Sequence, residues 1–168
     1  ISIFTIAPVP LFILLGEILF HSGMALRALD VLSRLLGKLP GRLSVLANLG
    51  GTIFAALSGS PMANTAMLGS ILVPEMEKRG YSRLMTIGPI MATGGIAMII
   101  PPSILSVVYA TIAEISIAKL LIAGVIPGLI MAANYMTYII TACSLKPELA
   151  PSYEFEKTSR REKFILFM

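Results

Sequence analysis

The chain has 168 residues, of which 56% are hydrophobic and 13% are charged, and its net charge at neutral pH is +4. A soluble domain carries about 25% charged residues because its surface faces water, so this composition excludes an ordinary soluble protein and predicts one embedded in lipid. A single cysteine and a single histidine exclude an internal disulfide, a cysteine metal cluster and any site that needs two histidines. The sequence opens directly in an apolar run, and we expect it to be a piece of a longer protein.

The first two elements are predicted to be a transmembrane helix and an interfacial helix. Residues 1–21 are apolar except for Glu17 and a few small polar groups, and a helix of this length just crosses a bilayer core of about 30 Å. In residues 22–42, leucines recur at helical spacing with Arg27 and Arg34 between them. That pattern is typical of an amphipathic helix in the membrane interface, and also of a surface helix packed against a soluble partner.

Residues 43–74 are predicted to form a re-entrant hairpin whose tip lies inside the membrane. Two apolar arms, 43–57 and 62–73, flank the sequence Ser-Gly-Ser-Pro at 58–61. Each arm reaches about 18–23 Å as a helix, which is short of a crossing of about 30 Å. A single helix through both arms would enclose the proline at a cost of about 3 kcal/mol. The hairpin therefore costs less than a continuous span.

The rest of the chain predicts two further membrane passages. Residues 84–113 are too long for one straight crossing and contain Gly94-Gly95 and Pro101-Pro102-Ser103, which predicts a discontinuous transmembrane helix with an unwound middle. The other predicted segments are a cytoplasmic loop at 75–83, a periplasmic turn at 114–119, a transmembrane helix at 120–142, a cytoplasmic linker at 143–163 and the start of another apolar element at 164–168.

The basic residues predict which ends face the cytoplasm. Four lysines or arginines lie in 24–42, three in 75–83 and five in 144–163, whereas Lys119 stands alone in its turn. All twelve fall on one face of the membrane only if 43–74 is re-entrant, which agrees with the positive-inside rule. Since they flank membrane segments, the lipid bilayer with its anionic headgroups is a better partner than nucleic acid.

The two helix breaks, at 58–61 and 94–103, are the predicted positions of a binding site. A broken helix frees backbone groups, and half-helix N-termini suit anions while unwound carbonyls suit Na+. Glycine, proline and serine at both breaks favour a hard cation that binds oxygen, although any one of them alone also fits a tolerated kink. Asn64 and Thr65 follow the first break and either cap the second arm or line a substrate path.

Other chemistries are disfavoured. A serine nucleophile needs an oriented base beside it, but His21 is predicted near the membrane surface and Ser58 and Ser60 at the tip. The sequence contains no phosphate-binding loop, so it predicts no ATP hydrolysis. We expect neither an enzyme nor a bound cofactor.

Several motifs together resemble a known transporter family. In chain order they are Pro10-Leu11-Phe12-Ile13-Leu14-Leu15-Gly16-Glu17, Ser58-Gly59-Ser60 with Ala63, Ala66 and Gly69, Pro74-Glu75-Met76, Arg79-Gly80-Tyr81, Ile100-Pro101-Pro102-Ser103 and Ala123-Gly124-Val125-Ile126-Pro127-Gly128. The chain resembles the large membrane subunit (DctM-like, M-type permease) of tripartite ATP-independent periplasmic (TRAP) transporters. The resemblance covers nearly all of the chain and corresponds to most of the first of two inverted repeats.

This resemblance implies an all-α polytopic membrane protein, namely an elevator-type transporter repeat with a re-entrant helical hairpin and a discontinuous transmembrane helix. It implies Na+-coupled uptake of organic acids, of the C4-dicarboxylate or sialic-acid class, across the bacterial or archaeal inner membrane. The implied partners are a periplasmic substrate-binding protein and a small four-helix membrane subunit. The implied Na+ site is built mainly from backbone oxygens of Ser58, Ser60, Ala97, Ile100 and Pro102, and the substrate-path candidates are Asn64, Thr65 and Ser103.

Two other functions stay open on the sequence. One is another elevator-type anion/Na+ symporter that works without a binding protein, and the other is a membrane scaffold that transports nothing. No arginine lies at either break to mark a carboxylate site, so the sequence does not identify the substrate.

Overall fold

The regular structure of the chain is helical throughout the part that the computed structural model describes, residues 8–37 and 39–151. Its helices are α1 (Pro8–His21), α2 (Met24–Leu35), α3 (Arg42–Ser58), α4 (Pro61–Lys78), α5 (Arg83–Ala97), α6 (Ile104–Ile112), α7 (Ile117–Leu145) and a short 3-10 helix (Pro147–Leu149). Within those described ranges, α7 is the one helix long and apolar enough to cross a membrane, and α3 is a shorter apolar helix. The predicted all-α class is confirmed.

Helices α3 and α4 form a hairpin whose two outer ends lie at the same end of the bundle. The hydroxyl of Tyr81, just after α4, accepts a hydrogen bond of 3.4 Å from the N–H of Leu43 in the first turn of α3. That N–H has no partner within its own helix, so the tyrosine caps α3 from across the hairpin. With 17 and 18 residues, the arms are about 26 and 27 Å long.

Helix α5 packs along both arms of the hairpin. A Cβ on Gly51 of α3 would lie 2.7 Å from side-chain atoms of both Leu68 in α4 and Thr93 in α5, so glycine allows the three helices to meet. Burial of apolar side chains from all three helices excludes water and stabilises this packing. The buried set includes Phe54, Met67, Leu68, Leu72, Met76, Met85 and Ile90.

The amphipathic helix α2 is attached to the outside of the hairpin by both apolar and polar contacts. Leu29 is buried, and its side chain lies over Gly50 of α3. At the other end of α2, the guanidinium of Arg42 donates to the carbonyl oxygen of Ser33 and, over 3.2 Å, to its hydroxyl. A carbonyl in the last turn of a helix has no intrahelical partner, so Arg42 caps α2 and fixes its orientation relative to α3.

The predicted polar loop at 75–83 is wrong in its first part. Helix α4 continues past Pro74 to Lys78, and the turn occupies only the residues between Lys78 and Arg83. The Nε of Arg79 donates to the Glu75 carboxylate over 2.6 Å. Ion pairs four residues apart support a helical turn, which explains why this charged stretch stays helical.

Three other predicted boundaries also shift. Gly94 and Gly95 lie inside α5, so the unwound segment begins at Met98 and not at Gly94. The last helix begins at Ile117 and ends at Leu145, beyond both limits of the predicted span at 120–142. Residues 1–7 of the first predicted span, residues 152–163 of the predicted linker and the apolar residues 164–168 lie outside the described residues.

A proline inside α5 leaves a helix carbonyl that a neighbouring helix satisfies. Pro89 has no N–H to donate to the carbonyl oxygen of Met85 four residues earlier. The buried hydroxyl of Ser44 in α3 donates to that oxygen over 2.6 Å. The pair therefore joins the start of the hairpin to α5.

We expect Ser44→Ala to lower the free energy of unfolding of the full-length protein by about 1–3 kcal/mol, because it leaves a buried carbonyl without a partner. Pro89→Ala returns an N–H to the same carbonyl, so the double variant should recover much of the loss. Thermal unfolding of the two single variants, the double variant and the parent measures this coupling. Simple addition of the two single effects would contradict it.

Candidate functional site at the hairpin tip

The hairpin turns within two residues, and each has the conformation that its sequence favours. Helix α3 ends at Ser58, and Gly59 follows in the left-handed region (φ 60°), where its N–H donates to the carbonyl of Ala55. Glycine adopts this conformation without the strain of a side chain. Ser60 is extended and accepts a hydrogen bond of 3.3 Å from the N–H of Ala63, so it is the N-cap of α4, with Pro61 at the first helical position.

The second break lies between α5 and α6 and shares the serine N-cap of the first. Helix α5 ends at Ala97, and after Pro101 and Pro102 the hydroxyl of Ser103 accepts from the N–H of Ser106 and so caps α6. The hydroxyls of Ser103 and Ser106 also donate to the carbonyl oxygen of Met98, over 2.6 and 3.1 Å. These bonds satisfy a carbonyl that the broken helix leaves free.

The two breaks are in direct contact. The N–H of Ile104 donates to the carbonyl oxygen of Gly59 over 3.4 Å, and a Cβ on Gly59 would overlap the carbonyl oxygen of Pro102. A Cβ on Gly94, in the last turn of α5, would also lie 3.7 Å from the carbonyl oxygen of Pro61 at the start of α4, so the ends of these four helices come together here. Helix dipoles give such a place partly negative groups for a cation and partly positive groups for an anion.

Of the residues predicted for the Na+ site, Ser60, Ile100 and Pro102 lie in the segments between helices, whereas Ser58 and Ala97 are the last residues of α3 and α5. Ser58, Ala97 and Ile100 are buried, whereas Ser60 and Pro102 are partly exposed. Among the described residues, no three histidine, cysteine, aspartate or glutamate side chains come together as a metal site. The oxygens at the contact include the backbone carbonyls of Gly59 and Pro102, and the Ser58 hydroxyl lies beside them.

The substrate-path candidates are all hydrogen-bonded within the protein, but only Asn64 bonds to a neighbouring helix. Asn64 is fully buried, and its Nδ2 donates to the carbonyl of Thr93 in α5 over 3.1 Å. Its Oδ1 has no partner among the described residues. Thr65 donates to the carbonyl of Pro61 over 2.9 Å. Ser103 is fully buried beside Met98, so in this conformation Asn64 and Ser103 do not line an open path.

Sequence reasoning missed the glycines of α7 that lie against the second break. Gly124 lies under the carbonyl oxygen of Ile99, and Gly128 lies under the side chain of Ile100. Their spacing of four residues places them on one face of α7. Small residues at this spacing are typical of close helix packing in membranes, and this signal was available in the sequence.

Comparisons with known proteins agree on one family. The family model described as the DctM component of the tripartite ATP-independent periplasmic transporter matches residues 1–165. A TRAP transporter large permease protein of Haemophilus influenzae is 41% identical over 131 residues, which are 78% of this chain and 33% of the relative.

Two further relatives have named substrates. The C4-dicarboxylate TRAP transporter large permease protein DctM of Pseudomonas aeruginosa is 38% identical over 143 residues, or 85% of this chain and 34% of the relative. The 2,3-diketo-L-gulonate TRAP transporter large permease protein YiaN of Escherichia coli is 39% identical over 133 residues, which are 79% of this chain and 31% of the relative. The chain spans about a third of the length of these relatives.

Proposed function

Because the chain belongs to the DctM component family of tripartite ATP-independent periplasmic transporters, we propose that it is part of a permease subunit that takes up an organic acid together with Na+. The members of this family are integral proteins of the bacterial inner membrane and are not enzymes. Since the chain spans about a third of its relatives, the transport activity is assigned to the longer polypeptide.

The main observation in support of a Na+ site is the contact between Gly59 and Pro102. It places the turn that follows α3 against the unwound segment that follows α5, and the oxygens of Gly59 and Pro102 at that contact are uncharged carbonyls. Unwound carbonyls and helix carboxyl ends bind Na+ in transporters with broken helices. The proposed ligands are mainly backbone oxygens of Ser58, Ser60, Ala97, Ile100 and Pro102.

An acidic substrate is supported by the other two helix ends at this place. The amino ends of α4 and α6 begin there, and helix amino ends attract carboxylates. The relatives' named substrates, a C4-dicarboxylate and 2,3-diketo-L-gulonate, are acids. We propose an organic acid of the C4-dicarboxylate or sialic-acid class, with Asn64, Thr65 and Ser103 beside its path once the site opens.

We propose that the hairpin and the broken helix move together in an elevator-type cycle. Their packing supports this, because α5 is joined to α3 through Ser44 and to α4 through Asn64. In a tripartite system the permease receives its substrate from a periplasmic binding protein and is accompanied by a small membrane subunit of four helices. These partners belong to the proposal for the full-length protein.

The test is uptake by the full-length permease with its small subunit in liposomes. We expect accumulation of the acid only with an inward Na+ gradient and the binding protein outside, and no accumulation when K+ replaces Na+. Ser58→Ala and Ser60→Ala should raise the Na+ concentration needed for half-maximal uptake, because the substitutions remove two hydroxyl oxygens beside the proposed ligands.

Ser70→Ala is the matched control for these serine variants, because Ser70 is exposed in α4 and donates to the carbonyl of Met67 in its own helix. Its Na+ requirement should equal that of the parent protein. Uptake without the binding protein would favour the alternative symporter. Uptake that is the same with and without Na+, and the same in the parent protein and the serine variants, would disprove Na+ coupling at this site.

A further inference from the structure

The surface of α7 that faces away from the bundle is chemically divided. On its packed side, Gly128, Ile139 and Cys143 are buried, and the Nδ2 of Asn48 in α3 donates to the carbonyl of Ala132 over 3.0 Å. The exposed side contains an apolar flank (Ile122, Ile126 and Leu129) and several exposed polar residues, four of which lie between positions 134 and 141. We call these four residues the polar stripe: Asn134, Thr137, Tyr138 and Thr141.

The polar stripe lies along one side of the helix, because Thr137 and Tyr138 are each three or four residues from both Asn134 and Thr141. Asn134 is the 18th of the 29 residues of α7, so it lies about 4.5 Å along the axis from the middle of the helix. If α7 crosses the bilayer, this amide is inside the hydrocarbon core, where no water is available to bind it.

The stripe has hydrogen-bond acceptors left over after its own helix is satisfied. Asn134 donates to the carbonyl of Ile130, Thr137 to that of Ala133 and Thr141 to that of Thr137, each over 2.8 Å. These bonds use both threonine hydroxyl protons and one of the two amide protons of Asn134. The amide oxygen, the second amide proton, the threonine lone pairs and the Tyr138 hydroxyl remain. The stripe therefore fits a partner surface that presents both donors and acceptors.

We propose that the polar stripe is a helix–helix interface, occupied by a membrane-spanning helix from the part of the same permease polypeptide outside this chain. That helix would present serine, threonine, asparagine or glutamine side chains, which both donate and accept hydrogen bonds. Two observations support this occupant: the chain spans about a third of the length of its relatives, and only 6% of the apolar stretch of α7 is buried in the described part of the chain. Polar side chains between membrane helices bind one another in this way.

A water-filled path fits the stripe less well than a helix. Towards the amino end, the same side of α7 continues with Ile130, Pro127 and Ala123, all exposed and apolar. A polar surface that stops near the middle of the membrane does not provide a continuous hydrated route. The threonine hydroxyls also bond to their own helix, which lowers their demand for water.

The test is spin-label accessibility in the full-length permease without its small subunit, in lipid bilayers and in a background with no other reactive cysteine. One label replaces Thr137 and a second replaces Leu129 on the apolar flank, while Asn134 stays native. We expect a several-fold lower oxygen accessibility at 137 than at 129, and little accessibility of 137 to a water-soluble nickel chelate. Asn134→Leu should raise the oxygen accessibility at 137, and Asn134→Gln should not.

Equal oxygen accessibility at the two positions would overturn the proposal, because both flanks would then face the same environment. High nickel accessibility at 137 would also overturn it and would indicate a hydrated path. If the oxygen accessibility at 137 falls only after the small subunit is added, the interface belongs to another chain and the proposed occupant is wrong. None of these readouts depends on Na+ or on substrate, so they are independent of the uptake assay.

Discussion

Replacing Gly59 by alanine in the full-length permease should abolish Na+-driven uptake. Gly59 has φ 60°, a left-handed conformation that costs an L-residue about 1–2 kcal/mol. The added methyl group would also overlap the carbonyl oxygen of Pro102, which is a backbone atom and has no rotamer to adopt. The overlap therefore separates the hairpin tip from the second break, and the oxygens from the two helices no longer meet. Uptake into liposomes and Na+ binding to the purified permease both measure the loss.

Two other glycines separate the causes of this effect. Gly80 has φ 75°, but a Cβ there would meet only the Pro151 side chain, at 3.8 Å, so Gly80→Ala adds backbone strain without an overlap. Gly69→Ala adds neither, since nothing lies within 4 Å of its Cβ and it is helical. We expect Gly80→Ala to lose about 1 kcal/mol of stability and keep uptake. If Gly59→Ala behaves like Gly80→Ala, contact with Pro102 is not what uptake requires.

The turn at the hairpin tip could be predicted from the sequence because its signals are local. A glycine in the left-handed region, a serine N-cap and a proline at the first helical position act within four residues. The cap at Ser103 and the two prolines before it mark the second break in the same way. Such signals depend only on neighbouring residues, so one sequence suffices to read them.

The start of the second break could not be predicted, because glycine has two uses. Gly94 serves close packing, since a Cβ there would lie 2.6 Å from the Thr65 hydroxyl across the interface. From the sequence alone, a glycine that allows close helix packing cannot be distinguished from one that breaks a helix. The hydrogen bonds of Asn64 to Thr93 and of Asn48 to Ala132 also could not be predicted from the sequence, because they join residues that are 29 and 84 positions apart. Only tertiary packing decides such pairs.

Replacing Gly124 by alanine should destabilise the full-length permease more than the same change at Gly128 or Gly88. At Gly124 the new methyl group would overlap the carbonyl oxygen of Ile99, whereas at Gly128 it would overlap Cγ1 of the Ile100 side chain, which can move by adopting another rotamer. Overpacking of this kind costs about 1–3 kcal/mol. At Gly88 nothing lies within 4 Å of the Cβ, so the helix-favouring alanine should stabilise slightly, by up to about 1 kcal/mol.

Thermal unfolding of the three variants in one detergent should therefore give the order Gly124→Ala below Gly128→Ala below Gly88→Ala. Loss of uptake should follow the same order, since a displaced Ile99 moves the second break away from the hairpin tip. This order is expected only if α7 lies directly against the second break. A backbone oxygen cannot move aside as a side chain can, so the methyl group at Gly124 should cost more than the one at Gly128. Equal melting temperatures for Gly124→Ala and Gly88→Ala would mean that α7 does not pack there in the assembled permease.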